Sequence, residues 1–413
     1  MSQVQKIGNN SGRGVSLFSI STVIIMLLYI LPQAMVFVRN DMMAIIATVY
    51  YCLFVSKYVS PTIVIKALLI GMPYLLLYWL VGSQWSFRLG FVLPFMTLWT
   101  LIMPLFAIIA IVKRSNPVEL KFILVSTGIC LLYVAIMTFR ALTVNPLIMR
   151  EMAGGTDDAI LVARFQGVGG FGIAYSIGAL FIALWIIHHS LKHPAYLKII
   201  NTVLIISCGI MVVKSQYATL LFLTVFGIAF YYLIEARTFT QRMAILVLAV
   251  ITVYASQTLI VMASQIIDGE VLQFKFKLIY DSLWGSEGIE NISGDRSQLQ
   301  IGAFDLFLRS PLFGEIGAVN TEAYSESHST LLSVMACSGI VGLISYLNVF
   351  YYSCKHMILS VFNSAERRLY FPVATFYFAL AWLNPIDFSF ECSWMIFFVI
   401  PLIYVMIFNK AKY

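Results

Sequence analysis

Residues 325–347 read SESHSTLLSVMACSGIVGLISYL, and this stretch contains both a membrane-spanning pattern and a possible reactive group. From Thr330 onward it is almost continuously apolar over a length that can cross about 30 Å of hydrocarbon, for which roughly 20 residues are needed. A histidine, His328, precedes the apolar run between two serines. The stretch therefore predicts a transmembrane helix with an imidazole at its mouth.

The same apolar pattern recurs along the whole chain. Of 413 residues, 61% are hydrophobic and only 11% are charged, whereas soluble domains carry about 25% charged residues. We therefore predict an all-α, polytopic membrane protein of about twelve transmembrane helices, with residues 1–413 forming a single integral membrane domain. The predicted spans are 15–38, 42–57, 61–82, 90–112, 120–142, 167–188, 197–213, 217–234, 243–263, 330–352, 369–386 and 391–408.

The first apolar run is interpreted as a retained span rather than a cleaved signal peptide, because it is long and no small-residue cleavage motif follows it. The six cysteines lie within or at the ends of apolar runs. This placement predicts neither disulfides nor a metal site. No Walker loop, zinc spacing or nucleophile elbow is found, so we expect neither cofactor nor metal.

The distribution of basic residues predicts the orientation in the membrane. With the N-terminus in the cytoplasm, fifteen of the 26 Lys and Arg residues lie in predicted inside segments, as the positive-inside rule requires. Both termini are then cytoplasmic, and two long loops, at about 143–166 and 264–329, lie outside. The net charge of +7 is assigned to contact with anionic membrane lipid and not to nucleic acid.

The larger external loop is acidic and includes GDRSQLQIGAFDLFLRSPLFG, residues 294–314. Leu299, Ala303, Leu306 and Phe307 recur at helical spacing, and Ser310-Pro311 should stop the helix. We expect a short amphipathic helix that lies on the membrane surface or caps the spans. The loop is long and too apolar for disorder, so it should cover a cavity.

Of the five histidines, His328 is the only one on the predicted external side. A helix N-terminus favours a neutral imidazole that can accept a proton. Several cations also lie outside, where few are expected: Arg39, Arg88, Arg140, Arg150, Arg164, Lys214, Arg296 and Arg309.

Two of these external cations have distinctive surroundings. Arg164 opens a glycine-rich segment that would let a phosphate approach the backbone, and a guanidinium can grip phosphate with two parallel hydrogen bonds. Close helix packing explains the same glycines equally well. Lys214 lies at the mouth of a tight hairpin, where snorkelling toward water is the alternative to ligand binding.

Taken together, these segments resemble the O-antigen polymerase and ligase superfamily. The resemblance rests on GDRSQLQIGAFDLFLRSPLFG followed by SHSTLLSVMACSGIVGLISYL, and on the earlier pair RFQGVGGFGIAYSIGAL (164–180) and KSQYATLLFLTVFGIAFYYL (214–233). The matches run in order across residues 164–347. The chain departs from the family at Lys214, where many relatives carry arginine. Lysine keeps the positive charge but cannot form the two parallel hydrogen bonds of a guanidinium.

The resemblance implies a GT-C-like, inverting and metal-independent glycosyltransferase at the outer face of the inner membrane. Its donor would be an oligosaccharide on undecaprenyl pyrophosphate, and its acceptor either a lipid-linked repeat unit (polymerase) or lipid A-core (ligase). His328 would act as general base, and Arg164, Arg296 and Lys214 would bind the pyrophosphate. A chain-length regulator protein is a further implied partner.

Two alternatives remain. The His-Ser-Thr opening and the short loop after the tenth span favour polymerase over ligase without deciding between them. A transporter of lipid-linked oligosaccharides would also need arginines facing a lumen. The absence of similarity between the two halves of the sequence, and the long acidic loop on one side, favour an enzyme.

Overall fold

The computed structural model describes residues 14–38, 40–80, 88–114, 116–154, 157–190, 195–215, 217–245, 247, 295–315, 329–385 and 390–408. Most of the predicted span at 243–263 and much of the large loop, including His328, lie outside these residues. Within the described ranges the fold is helical and contains no strand, in agreement with the predicted all-α class.

The helices are numbered in chain order. They are α1 (Leu17–Ile30), α2 (Pro32–Phe37), α3 (Asn40–Leu53), α4 (Pro61–Leu80), α5 (Leu93–Arg114), α6 (Pro117–Val144), α7 (Ile148–Gly154), α8 (Asp157–Phe165), α9 (Phe171–Ser190), α10 (Ala195–Lys214), α11 (Ala218–Glu235), α12 (Asp295–Arg309), α13 (Thr330–Val361), α14 (Ser364–Leu383), α15 (Phe390–Trp394) and α16 (Ile400–Phe408). A π-helical segment, Met395–Val399, joins α15 to α16.

Seven helices in the described part of the chain are long and apolar enough to cross a membrane. They are Pro61–Leu80, Gly90–Arg114, Pro117–Val144, Phe171–Ser190, Ala195–Lys214, Thr330–Val361 and Phe390–Phe408. Leu17–Ile30 and Thr219–Glu235 are apolar but shorter. These helices are those of a multi-pass membrane protein, although they are fewer than the twelve spans predicted.

Burial distinguishes a central group of helices from a peripheral one. In the most apolar stretches of Phe390–Phe408 and Thr330–Val361, 83% and 72% of the residues are buried, against 17% in Ala195–Lys214. The exposed side chains of α10 include Ile199, Val203 and Ile206. Apolar side chains can remain exposed on the periphery because lipid, not water, surrounds them.

Several helix boundaries differ from those of the predicted spans, and the local sequence explains the differences. The predicted first span, 15–38, is divided into α1 and α2, because Pro32 cannot continue the α1 hydrogen-bonding pattern and instead begins a new helix. Helix α14 starts earlier than predicted, at Ser364, because Asn363 and Glu366 form a capping box. The segment at 143–166, which is predicted to be external, contains α7 and α8.

The amphipathic helix predicted in the large loop is present as α12. It ends at Arg309, and Ser310 and Pro311 follow it, as predicted. Ala303 is buried and Leu306 and Phe307 pack against the core. Helix α12 packs on α13 and therefore covers part of that span.

Helix α13 is broken at Gly339, where φ is 62° and ψ is −167°. The turn that follows α12 fits into this break. The amides of Ile340 and Val341 donate hydrogen bonds to the carbonyls of Pro311 and Leu312, at 2.8 and 3.2 Å. Gly314 (φ 87°) closes the turn directly against the backbone of Cys337. The two segments of the quoted sequence pair are therefore in direct backbone contact.

Candidate functional site

A cavity of about 270 Å³ lies at one end of the helices. The charge distribution predicts that this end is external. The wall of the cavity is formed by α2, the start of α3, the end of α8, the start of α9 and the first residues of α15. Of the residues that the structure describes, two with charged side chains line it, Arg164 and Glu391. The rest of the wall is mostly apolar and includes Met35, Met43 and Met152.

Arg164 is held at this position by the way in which α8 ends. Gly167 adopts a left-handed conformation (φ 81°), its amide donates to the Arg164 carbonyl at 2.9 Å, and the amide of Val168 donates to Ala163 at 3.0 Å. This pattern is a Schellman helix end, in which glycine avoids the steric penalty of a positive φ. The amide of Gly169 then donates to Thr138 Oγ1 at 2.8 Å and ties the turn to α6.

The glycines after Arg164 leave open space at the cavity wall. A Cβ atom at Gly170 would meet only the tip of Met152, at 3.9 Å. Gly170 and Gly172 both line the cavity, together with the ring of Phe171. The backbone is therefore open to close approach at this part of the wall.

Glu391 is the second charged residue of the cavity, and its helix is firmly packed. The rings of Phe390 and Trp394 contact Tyr29 of α1, at centroid distances of 5.9 and 5.3 Å. Ser393 Oγ donates to the carbonyl of Leu101 at 2.7 Å. These contacts hold the start of the last span, and with it the carboxylate, against the core.

The carboxylate of Glu391 is buried but poorly satisfied. Only 9% of the residue is exposed, and its Oε2 atom has no hydrogen-bond partner among the residues that the structure describes. Arg164 is near enough to interact with it electrostatically, yet the ion pairs among the described residues do not include this one. Buried polar groups are nearly always hydrogen-bonded, so an exception at a cavity wall points to a ligand.

A second hollow, of about 310 Å³, lies on the other side of α8 and is lined by Glu151 and Asp158. Glu151 accepts a hydrogen bond from Asn145 at 2.8 Å. Among its described lining residues the charged groups are these two carboxylates, which repel an anion. The cavity of Arg164 is therefore the better candidate for binding phosphate.

The remaining predicted site residues are less fully described. Lys214 is exposed at the C-terminus of α10 and does not line the cavity. Arg296 lies in the first turn of α12, where only the backbone is described. His328 is outside the described residues, but Ser329, which follows it, caps α13.

Ser329 fixes the start of α13 next to the end of α14. Its hydroxyl donates to the Trp382 carbonyl at 2.6 Å, and the amide of Thr330 donates to Asn384 at 3.3 Å. Asn384 is a few residues before Phe390 and Glu391 in the chain. The start of α13 is therefore held against the end of α14, a few residues along the chain from Glu391.

Glu391 was absent from the predicted site, although the sequence contained a signal for it. It is the acidic residue in FSFECSWMIFFVI, residues 388–400, at the very start of a predicted span. An ionisable residue in a membrane segment marks a functional site more often than not. Its proximity to Arg164 could not be read from the sequence, because the two residues are far apart in the chain.

No protein-family model matches the chain, and no curated protein matches it. The fold therefore defines the class of protein, a helical multi-pass membrane protein with a charged cavity at one end.

Proposed function

We propose that this protein is a polyprenyl-pyrophosphate-dependent glycosyltransferase that polymerises lipid-linked repeat units of O-antigen or another surface polysaccharide. The observation that carries the proposal is the guanidinium of Arg164 at the wall of a largely apolar, glycine-edged cavity. A pyrophosphate joined to a polyprenyl chain needs both a cation and apolar surroundings. The cavity supplies the two together.

In the proposed reaction, the oxygen of an acceptor hydroxyl attacks the anomeric carbon of the donor sugar. The bond from that carbon to the pyrophosphate oxygen breaks, and undecaprenyl pyrophosphate leaves with inversion at the anomeric carbon. His328 takes the proton of the hydroxyl as general base. Arg164, together with Arg296, stabilises the charge that develops on the leaving group, and Lys214 is assigned a weaker, single-point contact with phosphate.

The proposed location is the inner membrane, with both termini in the cytoplasm and the cavity opening to the outer face. The acidic loop and α12 then lie on the side where the lipid-linked glycan is displayed. The same framework would serve a ligase that transfers the glycan to lipid A-core, since the two reactions differ only in the acceptor.

The test is a gel of surface polysaccharide from a strain that lacks this protein. A polymerase predicts lipid A-core carrying a single repeat unit, whereas a ligase predicts naked core. An unchanged ladder would exclude both. In proteoliposomes, either enzyme releases undecaprenyl pyrophosphate from the lipid-linked donor, whereas a transporter moves the donor across the bilayer without consuming it.

A further inference from the structure

We infer that Glu391 is a sugar-binding residue of the cavity, which accepts a hydrogen bond from a hydroxyl of the donor glycan next to the pyrophosphate held by Arg164. This inference rests on the proposed function and assigns to that site a residue that the sequence analysis did not include. It makes the cavity a two-part site, with one residue for the phosphate and one for the sugar.

The first step of the argument is the unsatisfied state of the carboxylate. Glu391 is buried, and within the described part of the chain its Oε2 atom has no hydrogen-bond partner. Leaving a buried acceptor unpaired is unfavourable, and more so for a charged group. A residue that served only to neutralise Arg164 would be expected to form an ion pair with it, and these two side chains do not.

The second step concerns the chemistry of the ligand. A carboxylate accepts hydrogen bonds and donates none, so its ligand must present a donor. Arg164 lines the same cavity and requires an anion. A ligand with both features side by side is a sugar joined to a phosphate, whose ring hydroxyls lie a few ångströms from the phosphate oxygens.

The third step concerns the apolar surfaces that line the cavity together with the two charged residues. Phe171 and Phe390 also line the cavity, and aromatic rings provide flat apolar faces against which the C–H groups of a sugar ring can pack. Gly170 leaves space beside them. A bare phosphate would use none of these features except the guanidinium.

The experiment compares two probes on the purified full-length protein in nanodiscs: undecaprenyl pyrophosphate, and the undecaprenyl-pyrophosphate-linked oligosaccharide that accumulates in the deletion strain. Native mass spectrometry measures the binding of each. Arg164→Ala should weaken both probes by about tenfold or more, because both carry the pyrophosphate.

Glu391→Gln should have opposite effects on the two probes. The sugar-free probe should bind more tightly, because a negative charge beside the pyrophosphate is removed. The glycan-bearing probe gains the same relief but should still bind more weakly, by about tenfold relative to the sugar-free probe, because a hydrogen bond to a charged acceptor is replaced by a weaker neutral one. Glu391→Asp, which keeps the charge and withdraws it by one methylene, should weaken only the glycan-bearing probe. Glu151→Gln, in the neighbouring hollow, is the matched control and should change neither.

Tighter binding of both probes by Glu391→Gln would overturn the inference, since Glu391 would then act only as a counter-charge. Unchanged binding of the glycan-bearing probe would overturn it as well. If the wild-type protein binds neither probe, the proposed function fails and the inference fails with it. If the wild-type protein binds both probes but Glu391→Gln does not have opposite effects on them, the proposed function stands and the sugar-binding role of Glu391 is wrong.

Discussion

The amide of Ile340 donates a hydrogen bond to the carbonyl of Pro311 at 2.8 Å, and this contact joins the turn after α12 to the break in α13. A helix broken by Gly339 leaves amides unpaired in an environment that supplies no water. The turn at 310–314 provides the missing acceptors. The two halves of the quoted sequence pair are therefore parts of one structural unit, which holds the helix of Arg296 against the helix that follows His328.

The first prediction tests this unit with Gly314→Ala. Gly314 has a φ of 87°, and an added Cβ would collide with the Cys337 backbone. The combined strain should destabilise the protein by about 2 kcal/mol or more and lower its thermal unfolding midpoint in detergent. Gly302→Ala in α12 is the control, because a Cβ there meets nothing within 4 Å and alanine favours the helix. Equal midpoints for the two variants would contradict the prediction.

The second prediction concerns Ser345, whose hydroxyl inserts into the hydrogen-bond ladder of α4. It donates to the Ile70 carbonyl at 2.6 Å and accepts from the Tyr74 amide at 3.2 Å, beside Pro73, which has no amide hydrogen to donate. Ser345→Ala should therefore loosen the α4–α13 contact.

We expect Ser345→Ala to cost about 1 kcal/mol, as interhelical hydrogen bonds in membranes generally do, measured by thermal unfolding in detergent. Thr202→Val is the control, because the exposed Thr202 hydroxyl donates only to Lys198 of its own helix. A larger loss from the Thr202 variant would show that the hydroxyl of Ser345 does not stabilise the helix pair.

The third prediction tests the guanidinium fork of Arg164. Arg164→Lys keeps the charge but loses two parallel hydrogen bonds to phosphate, so glycan transfer in proteoliposomes should fall by about tenfold or more. Arg140→Lys is the matched control, because Arg140 is exposed at the end of α6 and does not line the cavity. Full activity of the Arg164 variant would mean that charge alone suffices at this position.

The helical class, the stop of α12 at Ser310-Pro311 and the turn after Arg164 were predictable, because each depends on neighbours in the chain. Proline ends a helix and glycine permits a positive φ wherever they occur. The division of the first span at Pro32 had the same local signal, but the continuous hydrophobicity of the run concealed it.

The arrangement of the cavity was not predictable in the same way. Arg164 and Glu391 belong to helices far apart in sequence, and they line one cavity in a fold where Phe390 and Trp394 pack on Tyr29. The break at Gly339 likewise depends on acceptors supplied by Pro311 and Leu312. Hydropathy reports which segments are apolar, whereas these contacts depend on which apolar faces fit together.

The fourth prediction tests the orientation in the membrane by cysteine labelling. Val144, at the predicted external end of α6, is 87% exposed, and Lys198, near the predicted cytoplasmic end of α10, is also exposed. In a protein whose exposed Cys52 is replaced by serine, a membrane-impermeant maleimide should label Val144→Cys in intact spheroplasts. Lys198→Cys should react only after permeabilisation, and the reverse pattern would invert the proposed topology.

The fifth prediction concerns His328, for which His356 provides the comparison. His356 belongs to the far end of α13, where its ring contacts Tyr352 at 4.5 Å. If His328 is the general base, His328→Ala should lower glycan transfer by at least about 100-fold, while the amount of inserted protein stays the same. His356→Ala should leave transfer unchanged, because His356 lies near the opposite end of α13 from Ser329 and does not line the cavity. Long-chain polysaccharide of normal length in the His328 variant would exclude the base role, and the acceptor hydroxyl would then have to lose its proton to another group.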